Sequence, residues 1–265
     1  MSVILGQDEI LDRVDKATLD TFPRSLILFG DRGSGKHLII DYIKDHLKLG
    51  VIDISESISQ EVIDEIMVSP NPAIYFINSS QLTARKQNVL LKFLEEPLKN
   101  SYIVILTESL ATLLPTIINR CQVWTLKKYE FELLSSLCDN DEQILAIATT
   151  PGQIEALKTQ DVSSMFSLAN TMVDRISNAN YANILTITSK LDFDGKDTNK
   201  FNIIFFITTL IKVLRDKVVN CEQNNQRYVD AFILTKKLYN DTYIANINLQ
   251  NLFECYLTNL KAVLR

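Results

Sequence analysis

Residues 30–37 read GDRGSGKH and set two glycines and a lysine at the spacing of a phosphate-binding loop, G-x-x-x-x-G-K-[ST]. Gly30, Gly35 and Lys36 satisfy the pattern, and Gly33 and Ser34 lie inside it. Such a loop, placed between a strand and a helix, aims backbone N–H groups and the positive end of the helix dipole at one anion. Lys36 would reach the outer phosphates of a nucleotide. His37 breaks the pattern at its last position, where a hydroxyl would ligate magnesium. Imidazole is a poor ligand for that hard ion. Hydrolysis also needs a carboxylate at the end of a second buried strand. Here that segment, AIYFINSSQLT (73–83), closes on Ile77, Asn78, Ser79 and Ser80, with no carboxylate among them. Two separate parts of a hydrolytic site are missing. The residues therefore predict a loop that does not hydrolyse nucleotide by itself.

Other residue types that could do chemistry have plainer readings. Glu95 and Glu96 are adjacent near a helix end, so they diverge by about 100° around the helix axis and read as structural. His46 falls in a helical pattern and reads as solvent-facing, while Trp124 falls in a strand pattern and reads as core. Cys121, Cys138, Cys221 and Cys255 show no C-x-x-C spacing, so no metal site is expected. Sparse cysteine and no recognisable signal peptide fit a reducing cytoplasm.

The elements that would position the loop follow from the apolar pattern. SLILF (25–29) is a strand candidate that runs into the glycines, and HLIIDYIKDHL (37–47) continues at helical spacing. VIDI (51–54), AIYFI (73–77), YIVIL (102–106) and QVWTL (122–126) are further strands, with helices over 58–68 and 83–97, the latter stopped by Pro97. Continuous apolar strands alternating with helices predict an α/β fold with a parallel sheet covered on both faces. From about Tyr129 strand candidates nearly vanish. Helical text follows, interrupted by PGQ (151–153) and by a polar linker, DFDGKDTN (192–199), and closing in three long helices near 200–220, 226–239 and 247–264. IIFFITTLIKVL (203–214) is too short to span a bilayer and reads as a buried helix.

The 265 residues suit one large domain or two to three small ones. With 46% hydrophobic and 22% charged residues the composition is that of a globular chain. A net charge of −5 and the lack of a dense basic stripe in the text give no sign of a protein that grips DNA alone. Nucleic-acid contact, if made, is local or made within an assembly.

QLTARKQNVLLKFLEEP (81–97), followed by YIVILTESLATLLPTIINRCQVWTL (102–126), resembles the AAA+ sliding-clamp loaders, in particular the delta-prime branch of bacterial DNA polymerase III. Asn88, Leu90, Leu91, Lys92, Leu94, Glu95, Glu96 and Pro97 fit that family's helix text, and Asn119-Arg120-Cys121 stands at its Ser-Arg-Cys box. ILGQDEIL (4–11) resembles the family entry, whose Gly-Gln lies near the adenine pocket. The resemblance implies an AAA+ P-loop domain over 1–128, a helical lid over 129–192 and a helical collar over 198–265. It implies that Arg120 is an arginine finger offered in trans to a neighbour's ATP. It places Thr107 at the first sensor, beside an alternative reading as a strand-end hydroxyl. Gly30, Gly33, Ser34, Gly35, Lys36, His37 and Thr107 are the expected nucleotide contacts, no cofactor is required, and the degenerate loop is left as a weak site for ATP or ADP.

Departures from the family point the same way. Only KLG separates the P-loop helix from VIDI, so the four-cysteine zinc module is absent, and Gln153 and Ile154 stand where a second-sensor arginine is usual. The expected function is a non-hydrolysing clamp-loader subunit. Its partners would be the other loader subunits and, within the complex, the sliding clamp and primer–template DNA, with no membrane. Residues 84–86 (ARK) are open between DNA phosphate contact and a solvated helix face. The alternatives are an AAA+ ATPase with unusual ligands and a nucleotide-sensing adaptor outside the loader.

Overall fold

The computed structural model describes residues 4–69, 72–95, 101–178, 186–194, 200–220, 225–244 and 247–265. The chain divides into two compact units, 1–130 with 150–152, and 131–149 with 153–265.

The first unit is built on five parallel strands: β1 (Ser25–Phe29), β2 (Gly50–Asp53), β3 (Ala73–Asn78), β4 (Ser101–Thr107) and β5 (Gln122–Thr125), in the order β2-β3-β4-β1-β5. β4 is buried along its whole length, which is why it reads as an unbroken apolar run rather than an alternating one. Successive side chains point to opposite faces, and two separate cores result. Leu26, Leu28, Ile74, Val104 and Leu106 meet α1 (Asp8–Asp15) and α2 (Lys36–Leu47) through Ile10, Val14, Ile39, Ile40 and Ile43. Ile27, Tyr75, Ile77, Ile103 and Ile105 meet α3 (Gln60–Val68), α4 (Ala84–Glu95) and α5 (Pro115–Ile118) through Ile63, Leu90, Phe93 and Ile117. The register sets Phe29 opposite Thr107 and Asn78 opposite Leu106, so the carboxyl ends of β1, β3 and β4 are neighbours. The five strands expected from sequence are all present.

The second unit is almost entirely helical. Met165–Ile176 and the helices Ile203–Asn220, Gln226–Asp241 and Leu249–Val263 share one apolar core centred on Phe206, Leu210, Phe253 and Leu257. Ile203–Asn220 is the buried helix anticipated from its apolar run. No helix among the described residues is long and apolar enough to cross a membrane.

Two expectations are corrected. The break in the helical text falls at residues 148–150 rather than at PGQ, since Pro151 opens the helix Pro151–Leu157. Proline's missing N–H and fixed φ are harmless in a first turn. The region around the linker also carries a short strand pair, Leu191–Asp192 with Phe201–Asn202. Residues 195–199 of the linker, Pro97 as the stop of α4, Glu96 and Cys221 lie outside the described residues.

Candidate functional site

β1 delivers the chain into the glycine loop, and α2 begins at Lys36 with Gly35 as its N-cap. Gly33 and Gly35 have φ of 79° and 84°, the left-handed region where a side chain is strained. The loop thus has the strand–turn–helix setting that the motif requires. Gly30 is closed in from the side, since a Cβ there would meet Leu126 Cβ at 2.9 Å and Ser34 Oγ at 3.0 Å. Ser34 is 2% exposed, and its Oγ has no hydrogen-bond partner.

The loop's lysine is engaged within its own chain. Lys36 Nζ donates to the carbonyls of Gly30 (2.6 Å) and Asp31 (2.9 Å) and stands 3.9 Å from Glu108 Oε1. Burial pushes the Lys36 ammonium below its ordinary pKa, while Glu108 and Asp31 hold it up. Burial raises the Glu108 carboxyl, against the lowering influence of Lys36 and Arg32. Other groups tie down the loop's carbonyls. Tyr129 Oη donates to Ser34 O at 2.9 Å, Thr150 Oγ1 to Arg32 O at 2.8 Å, and Gly152 N to Gly33 O at 3.0 Å.

Gly152 is where this strapping is least tolerant. A Cβ there would lie 2.7 Å from Gly33 O and 2.8 Å from Gly33 Cα, backbone atoms that cannot rotate aside. Gly152→Ala is expected to destabilise the first unit by about 1–3 kcal/mol, the usual cost of overpacking. Urea unfolding followed in that unit would show a lower midpoint. An unchanged midpoint would mean that residues 150–152 do not rest on the loop in solution.

The remaining nucleotide candidates are scattered or already engaged. His37 is exposed, its ring edge-on to Phe76 with centroids 5.8 Å apart. Thr107 is 1% exposed; its hydroxyl accepts from Ser79 Oγ (3.0 Å) and Ser109 N (3.2 Å) and donates to Ser109 O (2.9 Å). Gln7, of the Gly-Gln entry, pairs its amide with the backbone of Lys127 in both directions, at 3.0 and 2.9 Å. Gln153 Oε1 accepts from Thr149 N at 2.8 Å, and Ile154 is fully buried. Trp124 is core at 3% exposure, and His46 is exposed with Nε2 2.9 Å from Ala17 O. Lys86 of the ARK segment donates to the carbonyls of Ser55 (3.0 Å) and Glu56 (3.1 Å), which leaves Arg85 as its exposed cation.

Arg120 lies apart from the loop, on the turn between α5 and β5, and is exposed. Its guanidinium donates to Thr116 O at 3.0 Å and to Glu95 Oε1 at 2.7 Å. Both terminal nitrogens of this planar, permanently charged fork are engaged, but the Arg120–Glu95 pair is partly exposed, so an oxyanion brought from outside can compete for the guanidinium. Neighbouring Cys121 is a packing residue: burial pushes its thiol up to about 12, so it stays protonated at neutral pH.

Three residues that position or charge these sites escaped the sequence reading. Glu108 follows the expected sensor by one position, and a search for carboxylates along β4 as well as β3 would have found it. Gln87 is 4% exposed inside α4 and ties three loop groups, donating to Leu82 O and Thr112 O and accepting from Leu114 N. Nothing in the local text marks it, since a helix-interior glutamine is ordinarily solvent-facing. Tyr129 sits at the edge of the expected first domain and gives no motif signal. Glu95, read as structural, is Arg120's partner.

Comparison with known proteins adds sequence matches to this geometry. Residues 34–130 match the family model described as DNA polymerase III, delta subunit. The chain is 34% identical over 133 residues to DNA polymerase III subunit delta' of Haemophilus influenzae, covering 48% of this chain and 37% of that protein. It is 44% identical over 64 residues to the subunit of the same name from Bacillus subtilis, covering 24% of this chain and 20% of that protein. The matches thus span well under half the length of either relative. Among solved structures, a DNA polymerase III gamma subunit-related protein from Thermotoga maritima aligns over 98% of this chain and 100% of its own, with a TM-score of 0.50 at 15% identity. That likeness speaks to the fold, which is of the AAA+ type.

Proposed function

We propose, for a chain whose P-loop domain is delta-prime-like, that it serves as a non-hydrolysing subunit of a DNA polymerase III clamp loader. In this reading it presents Arg120 to the ATP of a neighbouring subunit and requires no nucleotide of its own. The observation that carries the reading is the contrast between its two cations. Lys36, the cation that would serve the chain's own phosphates, is 7% exposed and donates to two carbonyls of its own loop. Arg120, the cation that would serve a neighbour's phosphates, stands at the surface, where its bonds to Thr116 O and Glu95 Oε1 are open to water and to exchange for a phosphate.

An arginine supplied across a subunit boundary offsets the charge that develops on a transferred phosphoryl group. The partners in this reading are the loader's ATPase subunits and, through the assembled ring, the sliding clamp and primer–template DNA.

The first test is ATP turnover by the purified chain in magnesium, beside a Lys36→Ala control. The expected result is no turnover above that control. Turnover that Lys36→Ala abolishes would make the chain a hydrolase with unusual ligands and would overturn the non-hydrolysing role.

A further inference from the structure

The loop and its lysine are those of a polyphosphate site, yet a carboxylate shares the lysine's field. Glu108 leaves the carboxyl end of β4, next to β1, and its Oε1 stands 3.9 Å from Lys36 Nζ. The Lys36 side chain is 8% exposed and that of Glu108 27%, so water screens the pair only from one side. Two of the three ammonium protons are already given to Gly30 O and Asp31 O, which leaves one for whatever stands in front. A phosphate oxygen that took this proton would sit about 3 Å from Nζ. It would then lie within about 7 Å of Glu108 Oε1, the sum of the two separations from Nζ. Ser34 Oγ, buried and without a partner, belongs to the same cradle.

We infer that Glu108 is a built-in anion that stands in for phosphate beside Lys36 and sets this site against nucleotide polyphosphates. The site is therefore closed by charge, while the contacts of Tyr129, Thr150 and Gly152 hold the loop's carbonyls in place. Closure is a property of one side chain, and removing its charge restores a binding site for ADP or ATP. The inference rests on reading residues 30–36 as a degenerate nucleotide loop. It does not depend on the chain's place in a clamp loader.

The experiment is a titration of the full chain with fluorescent ADP and with magnesium ATP, for wild type, Glu108→Gln, Glu108→Asp and Glu108→Gln combined with Lys36→Ala. Glutamine keeps the size and shape of Glu108 and removes only its charge. The expected result is binding about tenfold or more tighter in Glu108→Gln than in wild type, because charges this close in a half-buried site act through an effective dielectric far below that of water. Glu108→Asp should remain excluded like wild type, and adding Lys36→Ala should abolish the gain. Equal affinity of wild type and Glu108→Gln, whether both bind or neither does, would overturn the inference, as would a gain that survives Lys36→Ala. Circular dichroism and thermal unfolding establish that each variant is folded, and Glu108→Ala provides the same comparison if the glutamine variant does not fold. None of these outcomes bears on Arg120, whose effect is read in a neighbour's ATPase rate.

Discussion

Replacing Arg120 with alanine is expected to lower the ATP turnover of the adjacent ATPase subunit in a reconstituted loader by about 10³-fold or more, the range for loss of a trans arginine. The chain itself should fold and assemble normally. The Arg120–Glu95 pair is 35% and 51% exposed on its two sides, and pairs that wet contribute about 0–1 kcal/mol. A large kinetic loss with an unchanged melting temperature and an unchanged elution profile would therefore report chemistry rather than unfolding. Arg120→Lys is expected to recover only part of the rate, because an ammonium keeps the charge but not the planar fork. Turnover equal to wild type in Arg120→Ala would remove Arg120 from the neighbour's site.

The second large effect is expected at Gln87, far from any phosphate. Its amide bonds Leu82 O at 3.1 Å, Thr112 O at 2.9 Å and Leu114 N at 2.7 Å, so one side chain staples α4 to the segment that leads into α5. Methionine fills the same volume but satisfies none of these groups. Buried polar groups left without partners cost about 1–3 kcal/mol each, and partial access to water at Thr112 and Leu114 reduces the sum. Gln87→Met is expected to destabilise the first unit by about 3 kcal/mol. The checks are denaturant unfolding and amide hydrogen exchange, with protection lost first at Leu114. Arg120 stands two residues beyond α5, so the same variant should also lower the neighbour's ATPase rate. A variant with native stability and native protection at Leu114 would show that the staple is dispensable.

Much of the first unit was legible because its central strands, β1, β3 and β4, are buried along nearly their whole length. A strand such as YIVIL has no polar face to alternate with, so its type and its place in a covered parallel sheet follow from composition alone. The glycine loop was legible for a different reason: left-handed φ at Gly33 and Gly35 restricts which residues the backbone accepts. The Pro151 helix was misread because proline punctuates either side of a boundary, and only the chain's path tells an ending from a first turn.

The sequence by itself determined the strand–loop–helix motif, the absence of a magnesium hydroxyl at position 37 and of a carboxylate at the end of β3, and the Asn-Arg-Cys box carrying Arg120. Each of these is a matter of residue types at fixed spacing. Tertiary structure alone decided what those residues face. Glu108 stands 72 positions after Lys36, Tyr129 is 95 from Ser34, and Gly152 meets Gly33 across a still longer stretch of chain. Arg120 and Glu95 are likewise 25 positions apart and on different elements. Pairings of that kind are set by the order in which strands join the sheet, β4 beside β1 and β5 beyond it. No local period in the text encodes that order, and so the sequence named the cations while the fold assigned their anions.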